Sequence, residues 1–414
     1  MDGAGGPGER RRRIDPVNDS TRPTAAPRPG TPSRLRAIND RAALDLLLEH
    51  GPLSRTRIGA LTGLSKPTAS QLLARLEAVG LVVPVGTTAG GPGPNAQLYE
   101  VNPDAGYVAG LDVTPSQIRF AVADLTGRTR AEYTLATPGR QASGTVARVA
   151  DGLAEVLRRA ELPWGSLSEV VIGTPGALDP QTGKLRYAAH LPGWHTPDLT
   201  GELAAALGAP VAIENDVNLA AVAEQALGSA RGSQDFVLLW AEDGIGAAIV
   251  IGGRLHRGFT GGAGEVGYMP LPGAPLVRNV RRENSGGFQE LAGANAVLAL
   301  AKQYRLTAKS AEAAIARALG TPGAGEEFLQ VLANRLATGL AAIVAVVDPE
   351  LVVLSGGIPT AGGERLRELV REELTGLAVP RPKVRSSTVQ GSPVLHGALQ
   401  RALTDARERA FTTA

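Results

Sequence analysis

The sequence predicts an α/β protein led by a small winged helix-turn-helix unit. Three stretches point there. Ser54 to Arg75 (SRTRIGALTGLSKPTASQLLAR) reads as two short helices joined by a tight turn at Gly63-Leu64. From Tyr107 onward strand patterns alternate with helical ones, the signature of a sheet layered with helices. Ile213 to Asn218 (IENDVN) is an acidic loop of the kind that holds and deprotonates a hydroxyl.

With 414 residues, 43% hydrophobic and 20% charged, the chain suits two or three domains with buried cores. It has no cysteine, so disulfides and thiolate zinc sites are excluded. No uncharged apolar run approaches the roughly 18 residues of a membrane span, and the polar, Arg-containing start lacks the apolar segment of a secretory signal. A cytoplasmic protein with no membrane partner is expected. The net charge of +2 is small, but between Gly51 and Val79 Arg55, Arg57, Lys66 and Arg75 face a single acid, Glu77. Such a basic surface suits phosphate contact; a merely solvated helix face is the plainer alternative.

The first 32 residues (1–32), rich in Gly, Pro and Arg, are expected to form a disordered tail. The winged unit spans 33–102. Asp40 is placed as the cap of a first helix running to His50, with Ala43, Leu46 and Leu47 on its apolar face. Ser54 caps the second helix. Ser65 opens the third, with Pro67 in its first turn, where a missing N–H costs nothing. Leu72, Leu73, Leu76 and Val79 form the third helix's buried stripe, and Gly80 stops it. Strands Leu81 to Val85 and Gln97 to Val101 flank a wing tip at Gly90 to Pro94. Beyond them, 106–407 forms two lobes, about 106–225 and 226–392, with a last helix (393–410) returning to the first. Hairpins Tyr107 to Asp124 and Phe236 to Ile251 read as one repeat per lobe.

A helix-turn-helix reads DNA through short polar side chains on its second helix, which lies in the major groove. Lys66, Thr68, Ser70 and Gln71 fill that role here, with Arg55, Arg57 and Arg75 toward the backbone. Double-stranded DNA is therefore the expected partner; a helical bundle that only mediates contacts is the alternative.

The chain also resembles the ROK family of repressors and sugar kinases from about Ser33 to about Arg407. The resemblance rests on GTPGALDP (Gly173 to Pro180), HLPGW (His190 to Trp194), IENDVN, GGAGEVGY (Gly261 to Tyr268) and DPELVVLSGG (Asp348 to Gly357). It implies a two-lobed, actin-like (ribonuclease-H-like) domain. It makes Asp216 the position of the family's general base. Asn215, Glu265 and Glu290 match sugar-contacting positions, and Gly173, Pro175 and Gly176 match the loop flanking the sugar. Asp216 as a plain helix cap is the competing reading.

The chain departs from the kinase pattern. Phosphoryl transfer needs backbone N–H groups in open glycine turns against the phosphates. The first turn reads Asp112-Val113-Thr114-Pro115-Ser116, with Thr114 in the glycine place and Pro115 removing a donor. The second reads Glu242-Asp243-Gly244-Ile245-Gly246, bringing two carboxylates. The family's zinc run becomes Arg281 to Glu290 without cysteine, Tyr268 replaces its histidine at a position that the resemblance also places against the sugar, and Phe288 stands in the last thiolate's place as candidate packing. Gly93-Pro94-Asn95 replaces the frequent Gly-Arg-Pro of the wing.

The expectation is a DNA-binding transcriptional regulator of repressor type, a homodimer or homotetramer. Its degenerate kinase-like domain senses a sugar or sugar derivative. No catalytic residue is expected beyond the vestigial base Asp216, and neither zinc nor ATP is expected as a cofactor. An ATP-dependent sugar kinase with an appended DNA-binding domain, and a ligand-independent repressor, are the alternatives.

Overall fold

The computed structural model describes residues 32–87, 96–137, 144–179, 182–186, 191, 193–196, 198–276, 278 and 286–412. Residues 1–31 of the expected N-terminal tail, the wing tip at Gly90 to Pro94 with the adjoining Asn95, His190, and Arg281 to Ser285 of the zinc-run position lie outside these residues, whereas Pro32, expected in the tail, opens a helix.

The winged unit comprises α1 (Pro32–His50), β1 (Leu53–Ser54), α2 (Arg55–Thr62), α3 (Lys66–Ala78), β2 (Val82–Thr87) and β3 (Gln97–Val101), with its sheet ordered β1-β3-β2. Ser54 and Ser65 cap α2 and α3 by accepting the N–H of Arg57 and Thr68. Gly63, at φ 72°, closes α2 in the left-handed region. Leu44, Leu47, Ile58, Leu72, Leu73, Leu76 and Tyr99 form the core.

The winged unit departs from the sequence-based expectation at Asp40 and at Val79. Asp40 caps nothing: α1 begins at Pro32, since no breaker stands between Ser33 and Asn39, and Asp40 is a buried interior residue paired with Arg75. Val79 is 54% exposed, because it is the C-cap of α3 rather than part of its apolar stripe.

The first lobe holds β4 (Tyr107–Val113), β5 (Gln117–Asp124), β6 (Thr129–Ala136), α4 (Thr145–Arg159), β7 (Leu167–Thr174), β8 (Ala177–Leu178), β9 (Leu185–Arg186), α5 (Leu199–Leu207), β10 (Val211–Asn215) and α6 (Asp216–Leu227). The second holds β11 (Phe236–Ala241), β12 (Ile245–Ile251), β13 (Arg254–Leu255), α7 (Gly287–Ala292), α8 (Ala294–Gln303), α9 (Ala311–Leu319), α10 (Ala324–Val347), β14 (Leu351–Ser355), α11 (Gly357–Leu377) and β15 (Lys383–Ser386). The last helix is α12 (Pro393–Thr412).

The repeat foreseen in the hairpins extends to whole sheets. In the order β10-β7-β4-β5-β6, the strands β4, β5 and β6 are antiparallel, while β7 and β10 run parallel to β4. In the order β13-β12-β11-β14-β15, the strands β11, β12 and β13 are antiparallel, while β14 and β15 run parallel to β11. Parallel strands buried on both faces read as continuous apolar runs, as in Leu351–Ser355.

In the first lobe, α4 and α5 cover one face of the sheet, with Phe120, Leu153, Trp194 and Leu203 between the layers. The other face receives α12 through Val394, Leu395, Leu399 and Leu403. In the second lobe α7 to α11 cover one face, and α6 packs Val217, Ala220 and Ala221 on the other. The helix α10 is long and apolar enough to cross a membrane by length and composition. Here its Phe328, Leu332, Leu336, Leu340 and Val344 fill the core of the second lobe. Phe288, expected as replacement packing, is fully buried in that core, and its N–H donates to the Met269 carbonyl at 3.0 Å.

Candidate ligand cleft and nucleic-acid interface

A cleft of about 820 Å³ lies between the lobes, bounded by the turns of the two repeated hairpins, the start of α6 and the Gly261 to Tyr268 loop. Pro175, Gly176, Asn215, Asp216, Glu265 and Tyr268, all predicted from sequence, line it. Gly173 and Glu290 do not. Gly173 is a packing residue within β7: a Cβ there would meet Val394 Cγ1 at 2.6 Å and Leu219 Cδ1 at 2.8 Å. Glu290 is exposed, and its neighbour Gln289 faces the cleft instead.

The acidic loop divides its work among four side chains. Asn215 caps α6, its Oδ1 accepting the Asn218 N–H at 3.0 Å, while its Nδ2 donates to the Gly176 carbonyl at 3.0 Å. It thereby ties the floor of the cleft to the Pro175-Gly176 loop. Glu214 is buried and accepts from Asn218 Nδ2 at 2.9 Å. Asp216 is thus not the cap. It follows the cap, takes the Val217 N–H at 2.8 Å through Oδ1, and lines the cleft. Burial pushes its carboxyl up to about 7, helped by the nearby charges of Asp112 and Glu265. Burial also pushes Glu265 up to about 7. An acid poised there accepts or gives a proton near neutrality, which suits hydroxyl recognition and general-base work alike.

The loop that carries Glu265 lies flat on β12. Gly264, at φ 97°, allows this: a Cβ would stand 2.0 Å from the Ala247 carbonyl oxygen.

At the first hairpin turn, the Thr114 N–H donates to the Gln117 carbonyl at 2.9 Å, and the Gln117 N–H donates to Thr114 Oγ1 at 3.2 Å. Asp112 is buried and held by Arg119 Nη1 at 3.1 Å and by Ser392 Oγ at 2.8 Å. Burial still raises its carboxyl above the usual range. At the second turn, the Glu242 N–H donates to the Gly244 carbonyl at 3.0 Å. Gln289 pins the same turn: its Oε1 accepts the Ile245 N–H at 2.7 Å and its Nε2 donates to the Asp243 carbonyl at 2.9 Å. Burial, then the charge of Asp243, raises Glu242. Arg119 and Gln289 were missed from sequence. Arg119 sits in an alternating strand pattern and Gln289 in a run without a partner motif, so only the fold brings them to the cleft.

On the winged unit, Lys66, Thr68 and Gln71 are exposed on α3 and Ser70 is half-buried. Arg57 is exposed at the start of α2. Arg55 lies over the Tyr99 ring at 5.2 Å and donates to its hydroxyl, which fixes α2 to the wing strand β3. Arg75 donates to the buried Asp40 at 2.7 Å, so its guanidinium serves α1 as well as the surface.

An exposed polar helix on a winged unit, joined to a two-lobed domain with an acid-floored cleft, defines a class of regulator-like architecture. The chain belongs to the ROK family, whose model matches residues 108–400; a MarR family model matches residues 39–90. It is 25% identical to the xylose repressor of Caldicellulosiruptor bescii over 91% of this chain and 98% of that protein. It is 30% identical to the glucokinase of Thermotoga maritima over 61% of this chain and 81% of that one. Its fold matches that of a ROK family transcriptional regulator, a homolog of the E. coli MLC protein, with a TM-score of 0.73 at 20% identity, over 91% of this chain and 99% of the other.

Proposed function

We propose that this protein is a DNA-binding transcriptional repressor whose cleft senses a sugar or sugar derivative without phosphorylating it. The observation that carries the reading is the state of the two hairpin turns beside an intact acid floor. The N–H groups of Thr114 and Gln117 are spent inside the first turn, and Pro115 has none. The Glu242 N–H is spent inside the second, and the Ile245 N–H on Gln289 Oε1. Two carboxylates, Glu242 and Asp243, line the place a triphosphate would enter. Each like-charge contact at about 4 Å costs about 1–4 kcal/mol between bulk-water and near-surface dielectrics. These turns do not fit a nucleoside triphosphate. The pairing of Asp112 with Arg119 likewise leaves that carboxylate a poor magnesium ligand. A zinc ion has no thiolate here, and Phe288 supplies packing in its stead.

The repressor acts in the cytoplasm as a homodimer or homotetramer on a palindromic operator, since two-fold protein symmetry matches two half-sites. Lys66, Thr68, Ser70 and Gln71 enter the major groove, with Arg55 and Arg57 toward phosphates. The sugar is held by Asp216 and Glu265 with Pro175, Gly176, Asn215 and Tyr268 around it. It acts by preferring one lobe arrangement, because equal affinity for both would shift nothing. An operator recovered by in vitro selection, titrated by fluorescence anisotropy with D-xylose, D-glucose and amino sugars added in turn, tests this. One sugar changing operator affinity supports the reading. Tight operator binding indifferent to every sugar, with no thermal stabilisation by any, favours a ligand-independent repressor; a ligand at a hundredfold its Kd adds about 2.7 kcal/mol.

The second reading, a sugar kinase with an appended DNA-binding unit, draws on Asp216, which lines the cleft with its carboxyl poised at about 7.

A further inference from the structure

Glu214 stands next to the cleft residues Asn215 and Asp216, and its buried carboxylate has partners on both oxygens. Oε1 accepts the Asn215 N–H at 3.1 Å and Asn218 Nδ2 at 2.9 Å. Oε2 accepts from two arginines that belong to different parts of the molecule. Arg257 of the second lobe reaches it with Nη2 at 2.7 Å and Nε at 2.8 Å. Arg401 of α12 reaches the same oxygen with Nη1 at 3.3 Å.

Each arginine leads to a functional end of the chain. The Arg257 carbonyl accepts the N–H of Ala263, at the head of the loop that carries Glu265. Arg401 binds Asp405 at 2.8 Å, and a turn further on Arg407 donates to the Leu125 carbonyl at 2.9 Å. The helix then ends with Phe411 buried in the core of the winged unit, where Arg41 of α1 lies over its ring at 5.6 Å. The helix α12 is therefore one rigid element that touches the cleft's supporting carboxylate at its middle and the DNA-binding core at its end.

We propose that Glu214 couples lobe closure to the winged unit by sharing one carboxylate oxygen between Arg257 and Arg401. In this arrangement Arg257 makes the closer pair. When the lobes part, Arg257 withdraws with the second lobe. Oε2 of the buried carboxylate is then left to Arg401, which draws α12 toward it and shifts Phe411 against α1. A sugar held between Asp216 and Glu265 opposes that parting, so its binding energy reaches the DNA unit through a two-state contact. The inference rests on the DNA-binding, sugar-sensing reading above and adds the route by which that site acts.

The test uses the full chain and an operator fragment recovered by in vitro selection with the wild type. Operator Kd is measured by anisotropy for Arg257→Gln, Arg401→Gln, the double variant and the neighbouring Arg254→Gln. Circular dichroism and thermal unfolding check that each is folded, and Arg401→Lys replaces Arg401→Gln if that variant is not. Arg257→Gln is expected to change operator Kd by at least about fivefold, the lower range of allosteric coupling, although it lies in the lobe away from the DNA unit. Arg254→Gln is expected to leave Kd unaltered, and the effect of Arg257→Gln is expected to shrink or vanish when Arg401 is already changed. Unchanged Kd in folded Arg257→Gln, or effects of the two substitutions that simply add, overturns the coupling and leaves the functional reading standing. A wild type that selects no DNA overturns both.

Discussion

Asp216 in the first lobe and Glu265 in the second lobe line one cleft, close enough that the charge of Glu265 helps hold the Asp216 carboxyl at about 7. Both acids are raised above their ordinary values, so between about pH 4 and pH 7 the folded protein holds protons that the unfolded chain has released. Stability contributed by that difference is present at low pH and declines as pH rises toward 7. We expect the thermal midpoint of the unliganded protein to fall from pH 5.5 to pH 7.5, with a slope of up to about 1.4 kcal/mol per pH unit per group. Asp216→Asn should flatten that slope; thermal unfolding at a series of pH values measures it, and an unchanged slope would mean that Asp216 is ionised across the range.

Sugar binding should carry the opposite pH dependence. A hydroxyl donating to a carboxylate favours its ionised form, so a bound sugar should release protons at pH 6.5 and bind more tightly at pH 8. Calorimetry in buffers of different ionisation enthalpy reads the proton count directly.

The recognition face is expected to be separable from the fold. Lys66→Ala and Gln71→Ala should each weaken specific operator binding without lowering thermal stability, with the loss for Gln71 about 1–3 kcal/mol if it reads an adenine edge. Unchanged operator affinity in both variants would place recognition elsewhere on the unit.

Arg75 should behave differently from these two. Its removal leaves the Asp40 carboxylate buried without its cation, so Arg75→Ala should destabilise the winged unit by about 1–3 kcal/mol as well as weaken DNA binding. Thermal unfolding of the single variant and of Asp40→Asn with Arg75→Ala distinguishes this from a plain phosphate contact: the double change should recover part of the loss.

The loop that carries Glu265 offers a test of the cleft alone. Gly264→Ala brings a methyl group to about 2 Å from the Ala247 carbonyl oxygen, in a backbone region that alanine avoids. The loop must lift from β12 and take Glu265 with it. Sugar-dependent thermal stabilisation should be lost while operator binding persists, since the winged unit has its own core.

Much of the fold was legible because its signals are local. Hairpin strands Gln117–Asp124 and Phe236–Ala241 alternate or run apolar between turn residues, and Ser54, Ser65 and Gly63 mark their helices by capping chemistry that needs no tertiary context. Asp40 was misread because a buried acid inside a helix resembles a cap until its partner, Arg75, is found far along the chain. The cleft followed the same division. Asp216 and Glu265 sit in motifs that the eye can find, whereas Arg119, Gln289 and the Glu214 carboxylate acquire their roles from residues distant in sequence. Gly173 belongs to a recognisable motif yet faces α12, because motif membership does not say which side of a strand a residue occupies.

Phosphoryl transfer is the most direct measurement. The full-length protein is incubated with ATP, magnesium and a panel of pentoses, hexoses and amino sugars, and ADP release is followed beside thermal shift for the same sugars. One sugar should stabilise the fold with ADP release no greater than in its absence. Sugar-dependent turnover that disappears in Asp216→Asn would make the protein a kinase and contradict the reading of its two hairpin turns.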